Sequence, residues 1–324
     1  MQIMRTAVNI ICKKGFSQMN NSNETRTKPV LSSEVLGFIY VTITTIAYGV
    51  TPVISQLAYT SGLNSYSLVF GRYLFGMLFY MILILVTRES FKITLRQFAY
   101  IMYVAFWGML AILTAFIGYN YLSGGIASMI GMLYIAFVII FEILLKRAKA
   151  EAYKIIALTA AAIGILMVLW SPADSEGGGI SIIGFLLLLA SAVAAGVQII
   201  VFDSKIISDL PVPTIFFYEM ILPLTVIPII ASFLGLPPFP AGTAQWFYSA
   251  AVAFVNLFIG ILLFYKAVRL IGPGNASIIG VFEPVFATIA GVVVMGDTFT
   301  MRTIIGGIIV IGSIFTLKFI EARR

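Results

Sequence analysis

The chain has 324 residues, of which 60% are hydrophobic and 10% charged, with a mean hydropathy of +1.06 and a formal net charge of +7. Soluble domains carry about 25% charged residues, so this composition excludes a water-soluble globular protein and requires a polytopic membrane protein. A single cysteine, Cys12, excludes an internal disulfide, and the lack of any histidine removes the usual general base and zinc ligand, so most hydrolase and metalloenzyme chemistries fall away and no cofactor is expected.

Residues 1–33 are polar and basic, with Arg5, Lys13, Lys14, Arg26 and Lys28, and read as a cytosolic tail. The apolar patch at 7–12 is too short for a signal-peptide core, and the lysines follow it instead of preceding it. From Glu34 onward, apolar segments of about 19–25 residues recur, each long enough to cross roughly 30 Å of hydrocarbon at about 1.5 Å per residue. Ten spans are expected, at 35–58, 67–87, 98–119, 126–145, 153–170, 182–202, 213–233, 245–267, 275–295 and 302–320. Turn formers separate them, as in Ser61-Gly62-Leu63-Asn64, Ser123-Gly124-Gly125 and Gly272-Pro273-Gly274.

With the N-terminus inside, the inner side receives the tail cations, then Arg88, Lys92 and Arg96, then Lys146, Arg147, Lys149 and Lys154, then Lys205, Lys266, Arg269, Lys318, Arg323 and Arg324. Only Arg302 falls outside, and Arg72 falls within a span. This bias places both termini in the cytosol of a multi-pass protein of the cell membrane; the basic balance reports topology, and no nucleic-acid partner is expected.

Sliding the chain against itself exposes a duplication. At a shift of 147, Gly37-Phe38 meets Gly184-Phe185 and Gly49-Val50 meets Gly196-Val197; at 149, Ala127-Ser128 meets Ala276-Ser277. The expected fold is all-α, with ten transmembrane helices arranged as two five-helix repeats. Because five is odd, the second repeat enters the membrane from the opposite side, and inverted repeats of this kind serve alternating access around a site near the midplane.

Ala276-Ser277, Glu283-Pro284-Val285, Ala287, Gly291, the late glycines Gly306, Gly307 and Gly312, Tyr48-Gly49 and Arg72 together resemble the EamA-type permeases of the drug/metabolite transporter superfamily, over about residues 36–319. The resemblance implies repeats at 34–171 and 182–320, an extracytoplasmic loop at 172–181 and a short cytosolic end at 321–324. It also implies a permease, often an exporter of amino acids or other small metabolites. The Glu-Pro pair occurs in the second half alone; its counterpart in the first is Tyr134-Ile135.

Eight residues are candidates for substrate binding or gating. Glu283 stands about eight residues into its span, roughly 12 Å deep, where no snorkelling explains a charge, so it is a candidate proton carrier or counter-charge for an ammonium group. Pro284 lacks an amide hydrogen and is expected to kink the helix against the Gly280 carbonyl. Arg72 and Glu219 are repeat mates at a shift of 147, expected to differ in depth by roughly 12 Å and to line opposite vestibules without pairing. Tyr134, Tyr48, Trp107 and Asn120 complete the set.

The expected activity is secondary transport of a small metabolite, an amino acid or related amphipathic compound, outward by alternating access, with proton coupling open. No nucleotide-binding loop of the form GxxxxGK[ST] occurs, which argues against direct ATP drive. The alternatives are a structural or assembly membrane protein and, less favoured, a lipid-modifying enzyme, whose paired aspartates or histidines this chain lacks.

Overall fold

The computed structural model describes residues 33–145, 151–169 and 181–322, and every regular element among them is helical. The expected tail, most of the 172–181 loop and the cations Lys146, Arg147 and Lys149 lie outside the described residues. The first half comprises α1 (Ser33–Thr60), α2 (Ser65–Thr87), α3 (Leu95–Gly118), α4 (Gly124–Gly131), α5 (Leu133–Leu144) and α6 (Ala152–Leu169). The second comprises α7 (Ile182–Phe202), α8 (Val212–Glu219), α9 (Ile221–Phe233), α10 (Thr243–Val252), α11 (Leu262–Gly280), α12 (Glu283–Ala290) and α13 (Met301–Ala322). A π-wound segment, Ala253–Ile261, joins α10 to α11, and another, Gly291–Met295, extends α12. Within α11 the chain turns at Gly272, whose φ of 80° favours glycine.

Among the described residues, eight stretches are long and apolar enough to cross a membrane, including Gly124–Leu144, Val212–Phe233, Thr243–Val268 and Ile278–Met295. The other two expected spans, 153–170 and 302–320, fall on apolar helices of 10–17 residues, Ala152–Gly164 and Met301–Leu317. Large apolar side chains such as Leu85, Leu144, Phe233, Val293 and Ile308 face outward, as a lipid-facing surface requires. A buried cluster containing Leu68, Ile126, Ile130, Leu188, Ile227 and Val310 runs through both halves.

The duplication visible in the sequence recurs in the packing. Here α1 packs on α11, on the π segment Ala253–Ile261 and on α12, while its mate α7 packs on α3, α4 and α5. The elements α6 with α13, and α2 with α8 and α9, pair with their own counterparts, so they straddle the pseudo-two-fold axis. Side-chain to backbone bonds repeat as well: Thr44 Oγ1 donates to the Gly260 carbonyl at 3.2 Å, and Ser191 Oγ, 147 residues on, donates to the Ala111 carbonyl at 2.7 Å.

Loop contacts sort the connections into two ends. Asn64 and Ser61, after α1, meet Pro237, between α9 and α10, and Gln245 in the first turn of α10. At the other end, Ser90, Phe91 and Gln97, around the α2–α3 connection, meet Thr214, Tyr218 and Asp209. Thus α1 and α7 finish at opposite ends, and the halves are inverted.

Candidate substrate site

Two long helical stretches are broken at matched points. α4 ends at Gly131 and α5 begins at Leu133 across one tight turn at Met132 (φ −60°, ψ −13°); 149 residues later, Val281 (φ −59°, ψ −21°) and Phe282 separate α11 from α12. Pro284 is therefore the second residue of a helix, where a missing amide hydrogen costs nothing, and not a kink inside one. The first half breaks at Met132 without any proline, so the break belongs to the duplicated frame, and the expectation that Pro284 bends the helix against Gly280 gives way to Pro284 starting a new one. Glu283 and Tyr134 consequently open equivalent half-helices, Glu283 at a helix N-terminus, where the aligned peptide dipoles favour a negative charge.

Glu283 is half-buried, and Pro284 beside it is buried. Its half-helix is held against α1 by backbone contact, since a Cβ added to Gly49 would stand 2.8 Å from the Glu283 carbonyl oxygen. Tyr119 and Tyr134 are both near enough to Glu283 to feel its charge, and Tyr119 also feels Arg72.

Arg72 is 4% exposed, deep in α2. Its Nη2 donates to Asn256 Oδ1 at 2.9 Å, and Asn256 Nδ2 reaches Thr51 Oγ1 at 3.4 Å. The π winding of Ala253–Ile261 carries Asn256 at this crossing of α1, α2 and the eighth span. The rings of Tyr73 and Phe116 lie 5.0 and 5.8 Å from the guanidinium carbon, within cation–π range. Arg72 Nε and Nη1 are buried with no partner.

Glu219, the last residue of α8 and 8% exposed, accepts from Gln198 Nε2 at 2.6 Å, while its Oε2 is buried without a partner. This arrangement is the repeat mate of the first. Glu219 follows Arg72 by 147 residues, Gln198 follows Thr51 by 147, and Asn256 follows Trp107 by 149. Where the second half inserts Asn256 as a bridge, the first half offers Trp107 followed by Gly108. A Cβ at Gly108 would stand 2.8 Å from Glu219 Oε1, so glycine leaves the room in which Gln198 and Glu219 meet directly. Arg72 and Glu219 thus keep separate partners, with no ion pair between them, in two matched polar nests of opposite charge.

The profile of the EamA-like transporter family matches residues 35–170 and again residues 182–319. The chain belongs to the EamA-like transporter family. It is therefore a multi-pass membrane transporter of the drug/metabolite type, built from the family's two repeats. A solved structure, described only as the crystal structure of a protein, is similar with a TM-score of 0.61 and 16% identity over 90% of this chain and 98% of that one, a likeness of fold. Comparison with curated proteins finds no match.

The remaining candidates of the transporter divide between the nests and the helix ends. Tyr48 packs its ring against Gly260 on the π segment, one crossing from Asn256. Trp107 is half-buried, its indole nitrogen without a partner and its ring edge-on to Phe106. Asn120 is exposed at the end of α3, where its Nδ2 donates to Ser65 Oγ at 2.7 Å and to the Ile117 carbonyl at 3.1 Å, tying α3 to α2. Sequence reasoning missed Asn256 and Thr51 as site residues and passed over Gln198. The repeat shifts map all three onto one another's surroundings, and that mapping is the signal that finds them.

Proposed function

We propose that the protein is a secondary transporter that exports a small metabolite, an amino acid or related amphipathic compound, across the cell membrane by alternating access, with both termini in the cytosol. Glu283 carries the reading: a half-buried carboxylate at the start of a half-helix, in a broken span that packs across the repeat boundary onto α1. Discontinuous helices at such a boundary are where inverted-repeat transporters hold substrate and coupling ions. Rocking one half against the other about α2–α8–α9 and α6–α13 would expose Glu283 to each side in turn, with the carboxylate serving as proton carrier or as counter-charge for an ammonium group. A purely structural or assembly role gives no reason for matched polar nests of opposite sign at mirrored positions.

The test is efflux from proteoliposomes loaded with labelled amino acids, nucleosides and amine drugs, with and without a pH gradient. Glu283→Gln is expected to remove gradient-dependent flux while leaving thermal stability within a few degrees of wild type. Unchanged gradient-driven flux in that variant would take Glu283 out of the mechanism.

A further inference from the structure

Arg72 is a cation held inside the membrane with most of its donors idle. Of its three nitrogens, Nη2 alone makes a hydrogen bond of ordinary geometry, to the neutral Asn256, and the Tyr73 hydroxyl lies nearby. Nε and Nη1 are buried without such a bond. A buried donor without an acceptor costs about 1–3 kcal/mol, and more when charged, so the idle face of this guanidinium is a place built for something that the protein itself does not supply. The rings of Tyr73 and Phe116 soften the charge, and the Tyr73 hydroxyl is the one side-chain oxygen besides that of Asn256 near the guanidinium, without making a bond of ordinary geometry to Nε or Nη1.

The pseudo-two-fold mate sharpens the point. At Glu219 the corresponding second partner, Gln198, closes on the charged group itself. At Arg72 the corresponding residue is Thr51, whose hydroxyl is engaged one step away, on Asn256 Nδ2 and on the Ala47 carbonyl at 2.9 Å. The frame that brings Gln198 onto Glu219 thus positions Arg72 by Asn256 and two aromatic rings, with Nε and Nη1 turned to no acceptor of the protein.

We infer that Arg72, positioned by Asn256 and Thr51, is the seat for a single carboxylate group of the transported molecule. Planar oxyanions match the guanidinium fork, and arginine serves that geometry better than lysine does. The single charge of Arg72 selects among oxyanions. One negative charge neutralises the buried guanidinium, whereas a phosphate dianion or a dicarboxylate leaves a further charge unpaired in a low-dielectric interior. The ligand class is a monocarboxylate whose remainder is neutral or cationic; amines lacking the acid group and neutral nucleosides are excluded. Calling this ligand the substrate rests on the transporter reading, but the seat itself does not.

The experiment measures thermal unfolding of the purified full-length chain in detergent against acetate, phenylalanine, phenylalaninamide, phenethylamine and inorganic phosphate. Acetate and phenylalanine are expected to stabilise the wild type, with a half-saturating concentration for phenylalanine at least about tenfold below that of its amide. Phosphate and phenethylamine are expected to give no shift beyond that of matched chloride. Arg72→Gln is expected to abolish the acid-over-amide preference and Arg72→Lys to keep part of it. The wild-type comparison stands even if Arg72→Gln does not fold. Equal shifts with acid and amide, no shift with either carboxylate, or an undiminished preference in Arg72→Gln overturns the seat. Proteoliposome flux separates the two proposals: wild-type flux of an amine or nucleoside, with no carboxylate preference in unfolding, sinks the seat and leaves the transporter. Carboxylate-dependent stabilisation without flux of any compound does the reverse.

Discussion

Gly49 and Glu283 meet backbone to backbone, with the Glu283 carbonyl oxygen 2.8 Å from where a Cβ on Gly49 would stand. The same crossing recurs in the other half, where a Cβ on Gly196 would stand 2.9 Å from Phe137 Cβ. Small residues let helices approach closely in a bilayer, where the hydrophobic effect does not drive helices together. Gly49→Val is therefore expected to push α12 away from α1, lower stability by about 1–3 kcal/mol and displace Glu283. Gly312→Ala, with nothing within 4 Å of its added methyl, is the control and should unfold at the wild-type temperature or slightly above. Equal unfolding temperatures for Gly49→Val and wild type would mean that the crossing is loose.

Gln198 and Glu219 make the second prediction. Gln198→Leu removes the donor from a buried carboxylate whose other oxygen already lacks one, and should cost about 1.5–3 kcal/mol in thermal or denaturant unfolding. Glu219→Gln keeps an acceptor for the same donor and should cost less. In a double-mutant cycle of Gln198→Leu with Glu219→Leu, the two changes are expected to be strongly non-additive, because Gln198→Leu has no bond left to remove once the acceptor is gone. Additive losses would show that the 2.6 Å bond contributes nothing beyond packing.

Much of this frame was legible from spacing. Span lengths, the 147–149 shift and the opposing charges at Arg72 and Glu219 all follow from residue identity and position, and the packing of α1 and α7 repeats them. The nests were not legible, for two physical reasons. A helix that is apolar all round carries no azimuthal signal, so nothing along the chain says that Arg72 turns toward Asn256, 184 residues away, and not toward lipid. The π winding at Ala253–Ile261 and the turn at Met132 leave little trace in composition either, since neither contains proline. Glu283-Pro284 drew attention to a break whose cause lies in the duplicated frame.

Asp297 stands just past the span that ends at Met295, half-buried, with Oδ2 unpartnered against Gly291 and its own amide donating to the Gly291 carbonyl at 3.2 Å. Burial raises its carboxyl above the ordinary aspartate value. The folded protein then holds this proton more tightly than the unfolded chain, so the associated stability is present below the ordinary value and is lost as pH rises through the raised one. Unfolding temperature should fall across that window in wild type and change less in Asp297→Asn, which should be the more stable of the two above it. Parallel profiles for the two proteins would rule out Asp297 as the titrating group.

The orientation of the molecule decides on which side Arg72 lies, and loop chemistry tests it. In the proposed orientation, which follows the positive-inside pattern, the tail and the α2–α3 connection are cytosolic and the α9–α10 connection is outside. Because Cys12 is the sole cysteine, a membrane-impermeant maleimide applied to intact cells should leave the wild type unlabelled until the membrane is opened. In a Cys12→Ser background, the exposed Ala241, changed to cysteine, should label from outside, and the exposed Lys92, changed likewise, should not. The contacts that join the Asn64 and Pro237 loops at one end, and Ser90 and Thr214 at the other, require these two positions to differ whichever way the protein sits. A reversed pattern would move Arg72 to the cytosolic half and make it the seat met first by an exported molecule. Labelling of both positions from the same side would break the inverted arrangement itself.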